Sequence, residues 1–74
     1  MEKFIKNFAN QLLDQDESTL TGSTIFRELD DWDSLTAMAV IAMIEDEYNV
    51  KIDDDNFKKL QTIDDIYNFI QSNR

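Results

Sequence analysis

Apolar residues recur at helical spacing at the start of the chain. Phe4, Phe8 and Leu12 follow one another at intervals of four residues, while lysine and asparagine side chains occupy the opposite side. Such spacing puts the apolar side chains on one face of a helix and the polar side chains on the other. The pattern therefore predicts an amphipathic helix over residues 2–15.

The rest of the chain predicts two further long helices, a short helix and a long loop. One helix is expected over residues 34–49, and another opens at Thr62, where Asp65 three residues later forms a variant of the capping box. Residues 56–60 are expected to add one or two helical turns, whereas residues 16–33 show no sustained periodicity. The sequence thus predicts an all-α fold, a small four-helix bundle of three longer helices and one short helix, with a long loop between the first two.

The helix over residues 34–49 has two apolar faces. At about 100° per residue, the face expected in the core comprises Ala37, Val40, Ile41, Ile44 and Tyr48. The opposite face combines small or flexible apolar residues with an acidic end and comprises Leu35, Met38, Ala39, Ala42, Glu45 and Asp46. A small bundle needs only one buried face, so the second face is expected at the surface, where it is either a partner site or an ordinary surface.

Ser34 stands at the start of this helix and allows two interpretations. It is either an N-cap, a role that Asp33 also suits, or an attachment point whose phosphoester faces the N-terminal N–H groups. The chain has no histidine, and no lysine is close to Ser34 in the sequence, so this serine lacks the base that activates a nucleophilic serine. If Ser34 takes part in chemistry, it is a substrate for another enzyme.

The composition narrows the possible functions further. Sixteen acidic residues against seven basic ones give a net charge of −9, which repels nucleic acids and anionic lipid and favours basic protein surfaces. The absence of cysteine excludes disulfides and thiol catalysis. No membrane-spanning or targeting segment is evident, because the longest apolar run, residues 37–44, is far too short to span a bilayer. We therefore expect a cytoplasmic protein without nucleic-acid or membrane partners.

Two other classes of small acidic protein fit the sequence poorly. An EF-hand loop needs glycine at its sixth position and glutamate at its twelfth, and neither the frame from Asp14 nor the frame from Asp53 has them. A hydrolase needs a base and an oxyanion-binding loop, and the sequence offers neither. No metal site and no catalytic residue are predicted.

The start of the second predicted helix resembles the acyl carrier protein family. The resemblance lies in Asp33-Ser34-Leu35, which is followed about three turns later by the acidic-aromatic ending Glu45-Asp46-Glu47-Tyr48. The resemblance covers essentially the whole chain, because the chain also shares with the family its length, its acidity, the order of its predicted helices, the long first loop and the residues that open the last helix. The resemblance implies one acyl carrier domain over residues 1–74 that is not an enzyme.

When the family's motif is matched to this sequence residue by residue, the resemblance implies that Ser34 receives 4′-phosphopantetheine from coenzyme A. The arm would then carry acyl intermediates as thioesters, in fatty-acid or related biosynthesis. A docking face is implied for the holo-synthase (the phosphopantetheinyl transferase) and for acyl-loading and acyl-processing enzymes with basic patches. This docking face comprises Asp33, Leu35, Met38, Ala42, Glu45 and Asp46. A monomer is expected.

The sequence also departs from the family pattern beside Ser34. Trp32 stands where fatty-acid carriers usually have a small residue, Asp31 replaces a glycine, and Thr36 and Ala39 occupy positions that are often acidic. These departures bear on which partner enzymes the protein serves, and not on whether it carries a phosphopantetheine arm. Two alternatives remain open, a dedicated carrier for an aminoacyl or polyketide-type pathway and an unmodified acidic adaptor module.

Overall fold

The computed structural model describes residues 2–12 and 16–74 of the chain. Its described part contains four α-helices, which are α1 (Glu2–Ala9), α2 (Ser34–Tyr48), α3 (Asp54–Phe57) and α4 (Ile63–Ser72). Two 3-10 turns, Glu17–Thr19 and Phe26–Glu28, lie in the connection between α1 and α2. Because the described residues form no strand, the predicted all-α fold is confirmed. None of the described helices has the length and apolar character needed to cross a bilayer.

The first helix is shorter than predicted, whereas the second nearly matches its predicted bounds. α1 ends at Ala9 and is followed by a turn through Leu12, so it is shorter than predicted, and residues 13–15 of the predicted helix lie outside the described residues. α2 begins at Ser34 as predicted. It ends one residue early, because Asn49 adopts a left-handed conformation with φ of 56° and caps the helix through its N–H.

The two C-terminal helices are fixed by side-chain caps. α3 begins before the predicted residues 56–60, because the carboxylate of Asp53 accepts a hydrogen bond from the backbone N–H of Asn56 (2.8 Å). It ends at Phe57, so the prediction of helix over residues 58–60 was wrong. In α4, the Thr62 hydroxyl accepts from the Asp65 N–H, and the Asp65 carboxylate accepts from the Thr62 N–H, both at 3.1 Å. The capping box predicted at Thr62 is therefore confirmed.

One hydrophobic core joins the helices and the long connection. The buried apolar residues are Phe4, Phe8, Ala9, Leu12, Leu20, Phe26, Val40, Met43, Ile44, Val50, Ile52, Phe57, Ile63, Ile66 and Ile70. On α2, the predicted core residues Val40 and Ile44 are fully buried, and the other predicted members of that face are half-buried against the core. Met43 is buried as well, so the core face of α2 is wider than the sequence predicted.

The long connection is attached to the start of α4. The backbone N–H of Ile63 donates to the carbonyl of Thr24 (3.1 Å), and that of Asp64 donates to the carbonyl of Gly22 (2.7 Å). A Cβ atom at Gly22 would lie 2.2 Å from a carboxylate oxygen of Asp64, so this close approach requires glycine or a rearranged Asp64 side chain. These contacts hold the connection across the bundle and position its end next to α2.

Candidate functional site

Ser34 is the first residue of α2, but it does not cap the helix. The Asp33 carboxylate accepts a hydrogen bond from the backbone N–H of Thr36 (2.8 Å), which makes Asp33 the N-cap. The same N–H lowers the pKa of Asp33, because hydrogen bonding favours the ionised carboxylate. Of the two roles considered for Ser34, the capping role therefore belongs to its neighbour.

The Ser34 side chain is left available for attachment. It is exposed, and its hydroxyl forms no hydrogen bond with any group in residues 2–12 or 16–74. α2 has fifteen residues, so its N-terminus provides the positive end of a helix dipole together with N–H groups that attract a phosphate. An exposed serine at this place fits a phosphoester-linked group.

A groove of about 510 Å³ opens beside Ser34. We call it the Ser34 groove, and its lining residues come from the end of the long connection, from α2 and from α3. They are Arg27, Trp32, Asp33, Ser34, Ala37, Met38, Ile41, Asp54, Phe57 and Lys58. Half of these side chains are apolar, and the charged ones include two basic and two acidic residues. The groove can therefore hold an apolar group whose attachment point is Ser34.

Trp32 forms part of the wall of the Ser34 groove and also reaches the core. Its ring stacks on Phe8 with 6.0 Å between the ring centroids and an interplanar angle of 3°. It meets Phe26 edge-on at 4.8 Å and lies against Phe57 at 6.2 Å. Because Phe8 and Phe26 are completely buried, Trp32 lies between the groove and the centre of the protein.

Arg27 attaches α3 to the long connection at the same groove. Its Nε–H donates to the carbonyl of Leu60 (2.8 Å), and a terminal N–H donates to the carbonyl of Phe57. The guanidinium also lies over the rings of Phe26 and Phe57, 5.0 and 5.3 Å from their centroids. The sequence did not predict that Arg27 and Phe57 line this site. The only signal it contained for Arg27 was a basic residue next to an apolar one in a strongly acidic chain.

The structure places the whole predicted docking face at the surface. Leu35 and Met38 are 76% and 65% exposed, which is unusual for large apolar side chains in this protein. The remaining members of the docking face, Asp33, Ala42, Glu45 and Asp46, are exposed too. Ala39, which the sequence placed on the same side of the helix, is half-buried and lines a separate depression with Gln11.

The docking face and the Ser34 groove meet at the start of α2. Ser34 and Met38 line the groove, and Met38 also belongs to the docking face. The acidic end of that face lies about three turns along the helix, at Glu45 and Asp46. A partner protein seated on the docking face is therefore in reach of a group attached at Ser34.

Comparisons with known proteins agree with this geometry. Residues 3–70 match the family described as "Phosphopantetheine attachment site". A curated relative, "Acyl carrier protein" from Lactobacillus acidophilus, is 30% identical over 70 residues, which cover 95% of this chain and 88% of the relative.

Proposed function

The chain belongs to the acyl carrier protein family, whose members carry a phosphopantetheine arm, and from this we propose that Ser34 is the residue that holds the arm. The observation that carries the proposal is the exposed Ser34 hydroxyl, which lacks a hydrogen-bond partner in the described part of the chain and stands at the N-terminus of α2. When the arm is bound, it supplies a thiol that holds acyl groups as thioesters.

The chain contributes the acceptor oxygen and its surroundings. The Ser34 oxygen gives up its proton and forms a phosphoester bond with the phosphorus of the phosphopantetheinyl group, while the pyrophosphate bond of coenzyme A breaks and adenosine 3′,5′-bisphosphate leaves. Asp33 keeps the first turn of α2 closed, and the helix N-terminus stabilises the negative charge of the phosphoester. Since no base lies in hydrogen-bond contact with Ser34 within residues 2–12 and 16–74, the holo-synthase provides the base for this step.

We propose that the protein delivers its cargo rather than transforming it. The arm keeps the acyl group next to whichever enzyme is docked, which raises its effective concentration there. Successive delivery requires binding that is fast and reversible, and exposed complementary charges provide it better than a large apolar interface does. The docking face suits this role, because Leu35 and Met38 offer a small apolar contact and Glu45 and Asp46 attract basic patches.

The proposal also includes the pathway, the oligomeric state, the cellular location and the partner enzymes. We place the protein in fatty-acid or related biosynthesis, which the resemblance to acyl carrier proteins implies; the name of the bacterial relative supports the carrier role alone. We propose one carrier domain over residues 1–74, a monomer in the cytoplasm whose partners are the holo-synthase and acyl-loading and acyl-processing enzymes.

The attachment can be tested by intact-mass spectrometry. Incubation with coenzyme A and a broad-specificity phosphopantetheinyl transferase should add one phosphopantetheinyl group to the wild-type protein and none to Ser34→Ala. The substitution should cost at most about 1 kcal/mol of stability, because Asp33 still caps α2. Ser72→Ala is the matched control, since Ser72 is another exposed helical serine, and it should be modified normally.

Two outcomes would contradict this assignment. An unchanged mass of the wild-type protein with several transferases would favour the unmodified acidic adaptor. A Ser34→Ala protein that fails to fold would show that the serine is structural, and its loss of modification would then be a secondary effect.

A further inference from the structure

Trp32 is the barrier between the Ser34 groove and the buried aromatic cluster. It lines the groove on one side, and on the other it packs on the rings of Phe8 and Phe26, which have no solvent exposure. Phe57 lines the groove next to it and contacts both Trp32 and Phe26. An apolar chain that enters the groove from Ser34 therefore meets the indole ring before it can reach the interior.

The Trp32 ring is held firmly in this position. Three aromatic rings contact it, with centroid distances between 4.8 and 6.2 Å. Its backbone N–H donates to the carbonyl of Leu29 (3.1 Å), which fixes the chain just before α2. Moving the ring aside would break all three aromatic contacts and expose the fully buried side chains behind it, so displacing the ring costs packing free energy.

We propose that Trp32 determines the length of acyl chain that this carrier shelters, because the sheltered part of the chain ends where the Ser34 groove meets the indole ring. The proposal rests on Ser34 as the attachment point. Carbons beyond the length that the groove accepts stay in solvent, because the indole ring blocks the path to Phe8 and Phe26. A smaller residue at position 32 would leave a void behind the groove wall and extend the space available to the chain.

The test attaches chains of increasing length at position 34 without any transferase. The sequence has no cysteine, so Ser34→Cys provides a single thiol for alkylation with reagents that carry a flexible linker and a saturated chain. Mass spectrometry confirms complete labelling before each measurement, and circular dichroism then gives the melting temperature. This design is independent of the enzymatic modification, so a failure of Ser34 to accept phosphopantetheine would contradict the proposed function while leaving this test intact.

We expect the melting temperature to rise with the length of the attached chain up to a certain length and then to stay constant. We call this length the break. Each methylene taken out of water should raise the melting temperature by roughly 3–6 °C in a domain of this size. With Trp32 present the rise should stop once the groove is full. In Ser34→Cys/Trp32→Leu the unlabelled protein should melt lower, and the rise should continue for about two more carbons. Trp32→Phe is a milder change and should move the break by fewer carbons. It allows the test to be made even if the leucine variant does not fold.

Tyr48→Leu is the matched control, since Tyr48 is a half-buried aromatic residue of α2 that packs on Phe4 and does not line the groove. It should lower the melting temperature without moving the break. The proposal is overturned if the break is the same with tryptophan, phenylalanine and leucine at position 32. It is equally overturned if no chain raises the melting temperature, or if the rise continues through long chains in the presence of Trp32.

Discussion

Replacing Arg27 should loosen α3 and destabilise the protein much more than replacing an exposed charged residue such as Arg74. Arg27 lies in the 3-10 turn before α2, yet its guanidinium donates to two carbonyl groups 30 and 33 residues further along the chain. Arg27→Met keeps the apolar stem and removes all donors. The Leu60 carbonyl then loses its Arg27 donor, and the Phe57 carbonyl keeps only the backbone N–H of Leu60 (3.1 Å), just after a helix of only four residues.

The size of the effect follows from these contacts. A hydrogen bond from a charged donor contributes about 1.5–3 kcal/mol, and the two aromatic contacts add about 0.5–1 kcal/mol each when partly exposed. Water can hydrate the carbonyls after local fraying, so we expect a net loss of about 3 kcal/mol. A chain of 74 residues has a total stability of roughly 4–11 kcal/mol, which makes this loss a large fraction of it. The melting temperature should fall by roughly 12–24 °C.

Urea denaturation followed by circular dichroism measures this loss. Arg74→Met is the control, because Arg74 also lies over a ring, that of Tyr48 at 5.8 Å, but is exposed at the end of the chain. The control should lose less than about 0.5 kcal/mol. Arg27→Lys should recover only part of the stability, since a single ammonium cannot reproduce the planar fork. If Arg27→Met and Arg74→Met lose equally little, the two carbonyl contacts do not hold α3.

The docking face and the capping box give the remaining predictions. Changing Glu45 and Asp46 to lysine should slow loading by the holo-synthase and remove most of the salt dependence of the rate, whereas Met38→Asp should slow loading at every salt concentration. If both variants load normally at low salt, this surface does not bind partners. Hydrogen bonds from the N–H groups of Gln61 and Thr62 lower the pKa of Asp65. Its contribution to stability is therefore complete above its ordinary value of 3.8 and is lost as the pH falls through the lower pKa of the folded protein. Asp65→Asn should flatten the acid side of the stability profile, and an unchanged profile would refute this reasoning.

The features that the sequence predicted are those that depend on neighbouring residues. Periodicity located α2 and separated its buried and exposed faces, and local capping chemistry identified the start of α4 at Thr62. Each of these depends on residues within one or two helical turns of one another, so their spacing along the chain contains the necessary information.

The features that the sequence did not predict depend on the path of the long connection. Arg27 reaches α3, Trp32 stacks on Phe8, and Gly22 approaches Asp64 only because this connection folds across the bundle. Its residues have no sustained periodicity, so nothing local indicated which distant groups they would meet. The walls of the Ser34 groove come from such contacts, and for that reason the sequence indicated Ser34, the proposed attachment point, but not the groove beside it.

The position of Trp32 gives this protein an intrinsic optical probe. It is the only tryptophan in the chain, and it is half-buried in the wall of the Ser34 groove. Indole emission shifts to shorter wavelength when water leaves its surroundings, so a cargo that enters the groove changes the emission, whereas a cargo that remains in solvent leaves it unchanged. The unlabelled wild-type protein can therefore show, in real time and in the presence of tryptophan-free partners, when its cargo is sheltered and when it is handed over.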